Sequence, residues 1–176
     1  MSDMYSRVVG DQDIVRKLLS KIPGFGGYIE RENRRSSDKL LREYIAAHFE
    51  EQWKRISGIQ VDLINNSQID LVDDVERAAL KFRQFIDRIK TASYGYGSFF
   101  EATKVNEKEL SAVYSYDMAL MASVDEVSRA VDNLETSIGT DGAGAAIRNL
   151  VTIAQQSVDS FNKRAEVLRG GETQSQ

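Results

Sequence analysis

Asp117 is the residue whose position in this sequence points most directly to chemistry. It lies in a run whose members are spaced alternately three and four residues apart, the pattern of one buried helix face. A carboxylate on such a face is unfavourable unless it is paired or hydrogen-bonded. Asp117 is therefore either a ligand-binding or acid–base group inside a bundle, or a structural residue bonded to a tyrosine or an arginine. The other members of the run are all apolar, and the candidate partners of Asp117 are Tyr28, Tyr94, Tyr96 and Arg88.

His48 is the only histidine in the chain. Helical bundles that hold two iron ions use a Glu-x-x-His motif on each of two helices, which requires two histidines. The chain also has no cysteine, which excludes thiolate metal ligands and a cysteine nucleophile. We therefore predict a non-enzymatic protein with no catalytic residue, metal or cofactor, and we treat Asp117 and His48 as candidate buried polar residues. A small-ligand or metal site near Asp117 is the remaining chemical alternative.

An aromatic junction separates two strongly helical patterns near the middle of the chain. Tyr94, Tyr96, Phe99 and Phe100 are crowded there together with two glycines. A loop with this apolar content packs against its own domain, forms a protein interface or stacks a ligand. These four aromatic residues are therefore candidate interaction residues.

A second candidate interaction site is the mixed run over residues 30–35. Arg31 lies there between two glutamates, and the adjacent pair Arg34 and Arg35 follows Asn33. Such a run is either a solvated helix face or a docking site for an anionic partner. The net charge of −4 argues against nucleic acid as the partner, because phosphate binding needs a basic face.

Four long helices are predicted to carry these residues. Apolar residues recur at helical spacing over about 36–65 and 69–92. A third helix is predicted from the capping box Asn106–Glu109 to a terminal glycine, Gly139. A fourth is predicted from about residue 141 to the glycine pair at 170–171, which is expected to end it.

The helices are expected to form an all-α, antiparallel, up-down-up-down four-helix bundle, because the connections after the first and third long helices are short. Apolar residues at coiled-coil spacing support close packing of the helices. Acid-to-base pairs at i and i+4, among them Asp38 and Arg42, are of the kind that stabilises helices. An elongated pair of helical hairpins, completed by another protomer, is the alternative architecture.

Three regions are predicted along the chain. Residues 1–27 form an N-terminal segment with a short helix and a glycine-rich hinge, residues 28–170 form the bundle, and residues 171–176 form a disordered tail. The short helix is too small to be stable alone, so residues 11–25 dock on the bundle, on a partner or on a membrane surface. No apolar run is long enough to span a bilayer and no secretory signal is present, so we expect a cytoplasmic protein.

Two stretches carry a resemblance to known sequences. They are IPGFGGYIERENRRSSDKLLREYI at 22–45 and DRIKTASYGYGSFFEATKVNEKEL at 87–110. On these motifs the chain resembles a group of uncharacterised bacterial all-helical proteins. The resemblance implies an all-helical fold but no activity, and no catalytic residue is carried over from it.

These observations together predict a helical scaffold or adaptor. Such a protein self-associates as a homo-oligomer or binds a protein partner, and the aromatic junction is the first candidate surface. The alternative functions are a peripheral membrane-surface regulator, anchored by the N-terminal amphipathic helix, and a bundle with a buried site near Asp117.

Overall fold

The computed structural model of the chain describes residues 16, 20–22, 34–92 and 107–173. Four long helices make up the described chain: α1, Arg34–Asn65; α2, Val72–Thr91; α3, Glu107–Ser137; and α4, Ala143–Thr173. A 3₁₀ turn, Ile69–Leu71, leads into α2. The described residues contain no strand, and the prediction of an all-α four-helix bundle is confirmed.

The last helix differs from the sequence prediction at its end. α4 continues through Gly170 and Gly171 to Thr173, whereas the glycine pair was expected to end it. Glycine in a helix is less favourable than alanine by about 1 kcal/mol, but it keeps its backbone N–H donor. A glycine pair therefore weakens a helix without blocking it, and Gly58 lies inside α1 in the same way.

Each helix packs against two neighbours. α1 packs on α2 and α3, and α4 packs on the same two helices, so α1 and α4 occupy diagonal corners, as do α2 and α3. Gln68 and Thr140, in the two short connections, are hydrogen-bonded, so both hairpin turns lie at one end of the bundle. The neighbours α1 and α3 therefore run parallel, as do α2 and α4, while the helices within each hairpin are antiparallel.

The core follows the predicted apolar faces. Phe49 of α1 lies 4.5 Å from Phe85 of α2, centroid to centroid, and Phe85 lies 6.0 Å from Phe161 of α4. These rings join three helices at the middle of the bundle. The predicted face of α3 is buried wherever the structure describes it between Val113 and Leu134, and Asp117 is buried with it.

The two hairpin turns are fastened to each other by one amide. Gln68 Nε2 donates to the carbonyl of Thr140 at 3.0 Å, and Gln68 Oε1 accepts from the backbone N–H of Gly139 at 2.7 Å. Gly139 has a φ of +80°, as expected of a glycine that follows a helix C-terminus. A Cβ at this position would lie 3.2 Å from Asn66 Oδ1, so a side chain would also press on the other turn.

Part of the N-terminal segment docks on the bundle. Ile22 is 3% exposed and belongs to the main core. Lys21 Nζ lies 2.5 Å from Asp125 Oδ2 on α3. Among the described helices, none combines the length and the apolar character that crossing a membrane requires.

Substituting Gly139 with alanine is expected to destabilise the fold by about 1–2 kcal/mol, because an L-residue is strained at positive φ. Gly142→Ala is the matched control, since its Cβ would meet Thr140 Oγ1 at 3.4 Å without that strain. The free energies of unfolding of both variants in urea check this. Equal losses in the two variants would contradict the assigned role of Gly139.

Candidate functional site

Four charged side chains are buried together at the end of the bundle away from the turns. They are Asp38 and Arg42 of α1, Asp117 of α3 and Arg164 of α4, and each is less than 10% exposed. We call this set the polar layer. Arg164 is the largest side chain among the fully buried residues, so a complete guanidinium group is enclosed by the bundle.

The polar layer is joined by directed hydrogen bonds. Arg164 Nε donates to Asp117 Oδ1 at 2.5 Å, and Arg164 Nη2 donates to Asp38 Oδ1. Arg42 Nε donates to the other oxygen of Asp38 at 2.9 Å. Arg42 Nη1 donates to the carbonyl of Ile89 at 3.3 Å, in the last turn of α2. Every helix of the bundle is therefore tied to the polar layer.

The polar layer lies where α2 ends. At 1.5 Å per residue, Asp117, Arg164 and the last turn of α2 are all about 30 Å from the turn end of the bundle. The main core lies on one side of the polar layer. On the other side, a separate small apolar cluster is formed by Val113, Ala165 and Leu168. Arg42 therefore supplies a cation to the C-terminus of α2, where exposed carbonyl groups and the helix dipole favour positive charge.

The charges of the polar layer balance, with two arginines and two aspartates. Burial raises the pKa of Asp117, and the nearby charge of Arg164 opposes this shift without reversing it. Burial also acts to lower the pKa of Arg164, but the charges of Asp117 and Asp38 outweigh it and raise the pKa above its ordinary value. Arg164 therefore stays protonated, and it acts as a fixed cation rather than as an acid.

The partner of Asp117 differs from the candidates named from the sequence. Arg164 binds it, whereas Arg88 donates from Nη1 to Asn162 Oδ1 at 3.3 Å on the surface. The packing order explains the difference, because α2, which carries Arg88, and α3, which carries Asp117, lie at diagonal corners of the bundle. The tyrosine candidates at positions 28, 94 and 96 lie outside the described residues.

His48 is not buried. Its side chain is 39% exposed, its ring centroid lies 4.3 Å from that of Tyr44, and its Nδ1 lies 3.8 Å from Glu51 Oε2, too far for a hydrogen bond. The helix turns this flank of α1 toward solvent, so His48 and the enclosed Asp117 do not share a site. Within the described ranges, no group of three or more potential ligands could hold a metal ion.

The remaining candidate interaction residues are those of the aromatic junction and of the run over residues 30–35. Tyr94, Tyr96, Phe99, Phe100 and Arg31 lie outside the described residues. Two further candidates, Arg34 and Arg35, belong to the first turn of α1, but their side chains are also outside the described part. The interaction roles of all of these residues stay predictions.

The sequence patterns did not mark Asp38, Arg42 and Arg164 as buried, although Asp38 and Arg42 were recognised as a pair one helical turn apart. Each of the three lies seven residues from a buried residue of its own helix: Asp38 from Ile45, Arg42 from Phe49, and Arg164 from Ser157. This spacing is a partial signal only, because it also selects the exposed Lys39, seven residues from Ala46.

A second feature of the structure is an apolar surface on the first hairpin. Four large apolar side chains of the described chain are more than half exposed, and all four belong to the hairpin of α1 and α2. We call them the hairpin face: Val61 at 57%, Ile64 at 52%, Ile69 at 64% and Leu80 at 54%.

Leu80 lies on the side of α2 that faces α1. Four residues before Leu80 is Glu76, whose Oε2 accepts a hydrogen bond from Gln60 Nε2 of α1 at 2.5 Å. Three residues after it is Arg83, whose guanidinium lies 5.4 Å from the ring centroid of Trp53 on α1. Residues three and four apart share a helix face, so Leu80 borders the same seam and the hairpin face extends over both helices.

A polar cleft of about 290 Å³ lies beside α1 and is lined by Lys39, Arg42, Glu43 and Lys90. Its cations are already engaged by carboxylates. Lys39 Nζ lies 3.7 Å from Glu43, and Lys90 Nζ lies 2.5 Å from Glu50, whose pKa this hydrogen bond lowers. The cleft is therefore a paired surface groove rather than a prepared anion site.

Comparison with known proteins does not extend this description. No protein-family model, no curated protein and no solved structure matches the chain. The resemblance carried by residues 22–45 and 87–110 stays a prediction. Function therefore has to be inferred from the polar layer and the hairpin face.

Replacing Arg164 with methionine is expected to destabilise the protein by about 3–5 kcal/mol, because two buried carboxylates lose a cationic partner. The double variant Arg164→Met/Asp117→Leu is expected to recover most of the loss, since it leaves the pair of Asp38 and Arg42 intact. Urea unfolding of both variants measures this. A double variant no more stable than the single one would contradict the assigned pairing.

The pH dependence of stability provides a separate test of Asp117. Burial raises its pKa in the folded protein, so the unfolded chain releases this proton first as the pH rises. The free energy of unfolding of wild type, relative to that of Asp117→Asn, is therefore expected to be highest at pH values below both pKa values. It is expected to decrease as the pH rises from the pKa of Asp117 in the unfolded chain to its pKa in the folded protein. Urea unfolding of both proteins at a series of pH values checks this. A relative stability that rises with pH would show that Arg164 outweighs burial.

Proposed function

We propose that this protein is a non-enzymatic helical scaffold that binds protein, either itself or another chain, through the hairpin face. The observation that carries the proposal is the concentration of exposed Val61, Ile64, Ile69 and Leu80 on one hairpin. Single exposed apolar residues are ordinary, but several concentrated on one hairpin are typical of protein interaction sites.

The chemistry of the polar layer supports a scaffold over an enzyme. Asp117 and Arg164 are enclosed by the bundle, and their described hydrogen bonds link one helix to another. A catalytic acid or base must reach a substrate atom, directly or through one water molecule. The polar layer instead uses its charges to hold helices in place.

The rigidity of the bundle supports display of a binding surface. The polar layer ties the helices at one end, and Gln68 fastens the two turns at the other. A surface on such a framework loses little conformational entropy on binding. A chain without cysteine suits a reducing cytosol, where we expect the scaffold to act.

The membrane alternative has less support than protein binding. It requires the segment over residues 11–25 to be available to a lipid surface. Within that segment Ile22 is buried in the core and Lys21 is paired with Asp125. A membrane would have to compete with the bundle for these residues.

The double substitution Val61→Asp/Ile64→Asp is expected to abolish binding without unfolding the protein, because both residues are more than half exposed. The matched control is Ala119→Asp/Ala122→Asp, which adds the same charges at the same spacing on an exposed part of α3. Light scattering at increasing concentration and affinity capture from the source cells measure complexes of the purified chain. Circular dichroism measures folding.

Wild type and control are expected to form the same complex, and the Val61→Asp/Ile64→Asp variant is expected to lose it. The proposal is contradicted if wild type neither self-associates nor captures a partner. It is also contradicted if control and test variants lose the complex equally.

A further inference from the structure

We infer that the occupant of the hairpin face is a second copy of this chain, paired through the C-terminal half of α1. The two α1 helices run antiparallel about a two-fold axis between Gly58 and Val61. This inference rests on the proposed function, because it assigns a partner to the same surface. It adds an orientation, a register and two intermolecular ion pairs.

Gly58 is the first observation behind this pairing. It is exposed in the interior of α1, where glycine is the least favourable residue after proline. A Cβ added to Gly58 would meet no atom within 4 Å, so packing inside the protomer does not require glycine there. A glycine on a helix surface permits close approach of another backbone.

The residues around Gly58 form a shallow hole on the surface of α1. Lys54, Ser57, Gly58 and Val61 are spaced three and four apart, which is the diamond that receives a side chain when two helices pack. In the antiparallel register the hole of one copy faces Val61 of the other. Val61 is 57% exposed and is the knob that fits a hole floored by glycine.

Charge selects the direction of pairing. Lys54 and Asp62 are both exposed and lie four residues to either side of Gly58. The charge of Lys54 contributes to the lowered pKa of Glu50 on its own helix, and both side chains remain accessible to a second copy. In an antiparallel pair, Lys54 of each copy comes within one turn of Asp62 of the other, which gives two symmetric ion pairs. In a parallel pair, lysine would face lysine and aspartate would face aspartate. Parallel pairing is therefore disfavoured.

The interface is short, so we expect the two copies to associate with low affinity. About 12 residues of each α1 overlap in this register, a length of about 18 Å. Ile64 and Leu80 extend the apolar contact along the edges. Interfaces of this size, below about 1,200 Å², are typical of transient complexes, so the experiment uses trapping as well as equilibrium measurement.

Disulfide trapping tests the register directly, because the chain has no cysteine of its own. A mixture of Lys54→Cys and Asn65→Cys chains is expected to form a mixed disulfide rapidly under mild oxidation, since these two positions lie at the same height in the antiparallel register and leave Gly58 and Val61 intact. Asn65→Cys chains are expected not to cross-link with themselves, since the two copies of residue 65 would be about 16 Å apart along the axis. Self-cross-linking of Asn65→Cys without the mixed product would overturn the antiparallel register.

Charge reversal tests the ion pairs. Lys54→Glu and Asp62→Lys are each expected to weaken association roughly fivefold or more, and the double variant Lys54→Glu/Asp62→Lys is expected to restore it. Sedimentation equilibrium over a concentration series measures the dissociation constants. Two single variants whose losses simply add in the double variant would overturn the assigned pairs.

Gly58→Ala separates association from folding. It is expected to raise the melting temperature of the protomer, because alanine is the better helix former, and to weaken the dimer by filling the hole. A monomeric wild type that yields no trapped dimer would overturn the inference. If that monomer also captures a different protein, and Val61→Asp/Ile64→Asp abolishes the capture, the inference fails while the proposed function stands.

Discussion

The carboxylate of Asp38 accepts hydrogen bonds from two guanidinium groups, and the arrangement of the bundle depends on these bonds. One oxygen accepts from Arg42 on its own helix, and the other accepts from Arg164 on α4, the helix at the diagonal corner. Arg164 also donates a hydrogen bond to Asp117 on α3, and Arg42 also donates one to a carbonyl in the last turn of α2. Burying four charges is often less favourable than burying apolar groups of similar size, so such a set contributes specificity more than stability.

The specificity matters because apolar faces alone allow more than one packing of two helical hairpins. α1 could lie beside α3 or beside α4 with similar apolar contact, and these alternatives expose different surfaces. The polar layer can satisfy its charges only when its helices meet in one order. Gln68 applies a second restraint at the turn end. In the resulting arrangement Val61, Ile64 and Leu80 face outward.

The fold could be predicted from sequence because its information is local. Helical spacing and the terminal Gly139 each occupy a few consecutive residues. Most boundaries are therefore predicted within a few positions. The end of α4 is the exception, because glycine weakens a helix without forbidding it.

The site could be predicted only in part. Asp117 stands out because its neighbours on the face are apolar, whereas Asp38 and Arg42 resemble an ordinary pair one helical turn apart. Their burial depends on Arg164, which is 126 residues from Asp38 in sequence. No local pattern records that contact. His48 shows the reverse error, since a single histidine attracts attention but lies on a half-exposed flank.

The inferred dimer depends on a self-complementary surface of α1 around Gly58. A dilution series of amide proton–nitrogen NMR spectra of the wild-type chain tests it most directly, because it locates any contact without a substitution. We predict concentration-dependent shifts over residues 54–65 and at Leu80, with the amide signals on the outer faces of α3 and α4 unchanged. Spectra that do not change with concentration, or that change only on α3 and α4, would contradict the claim.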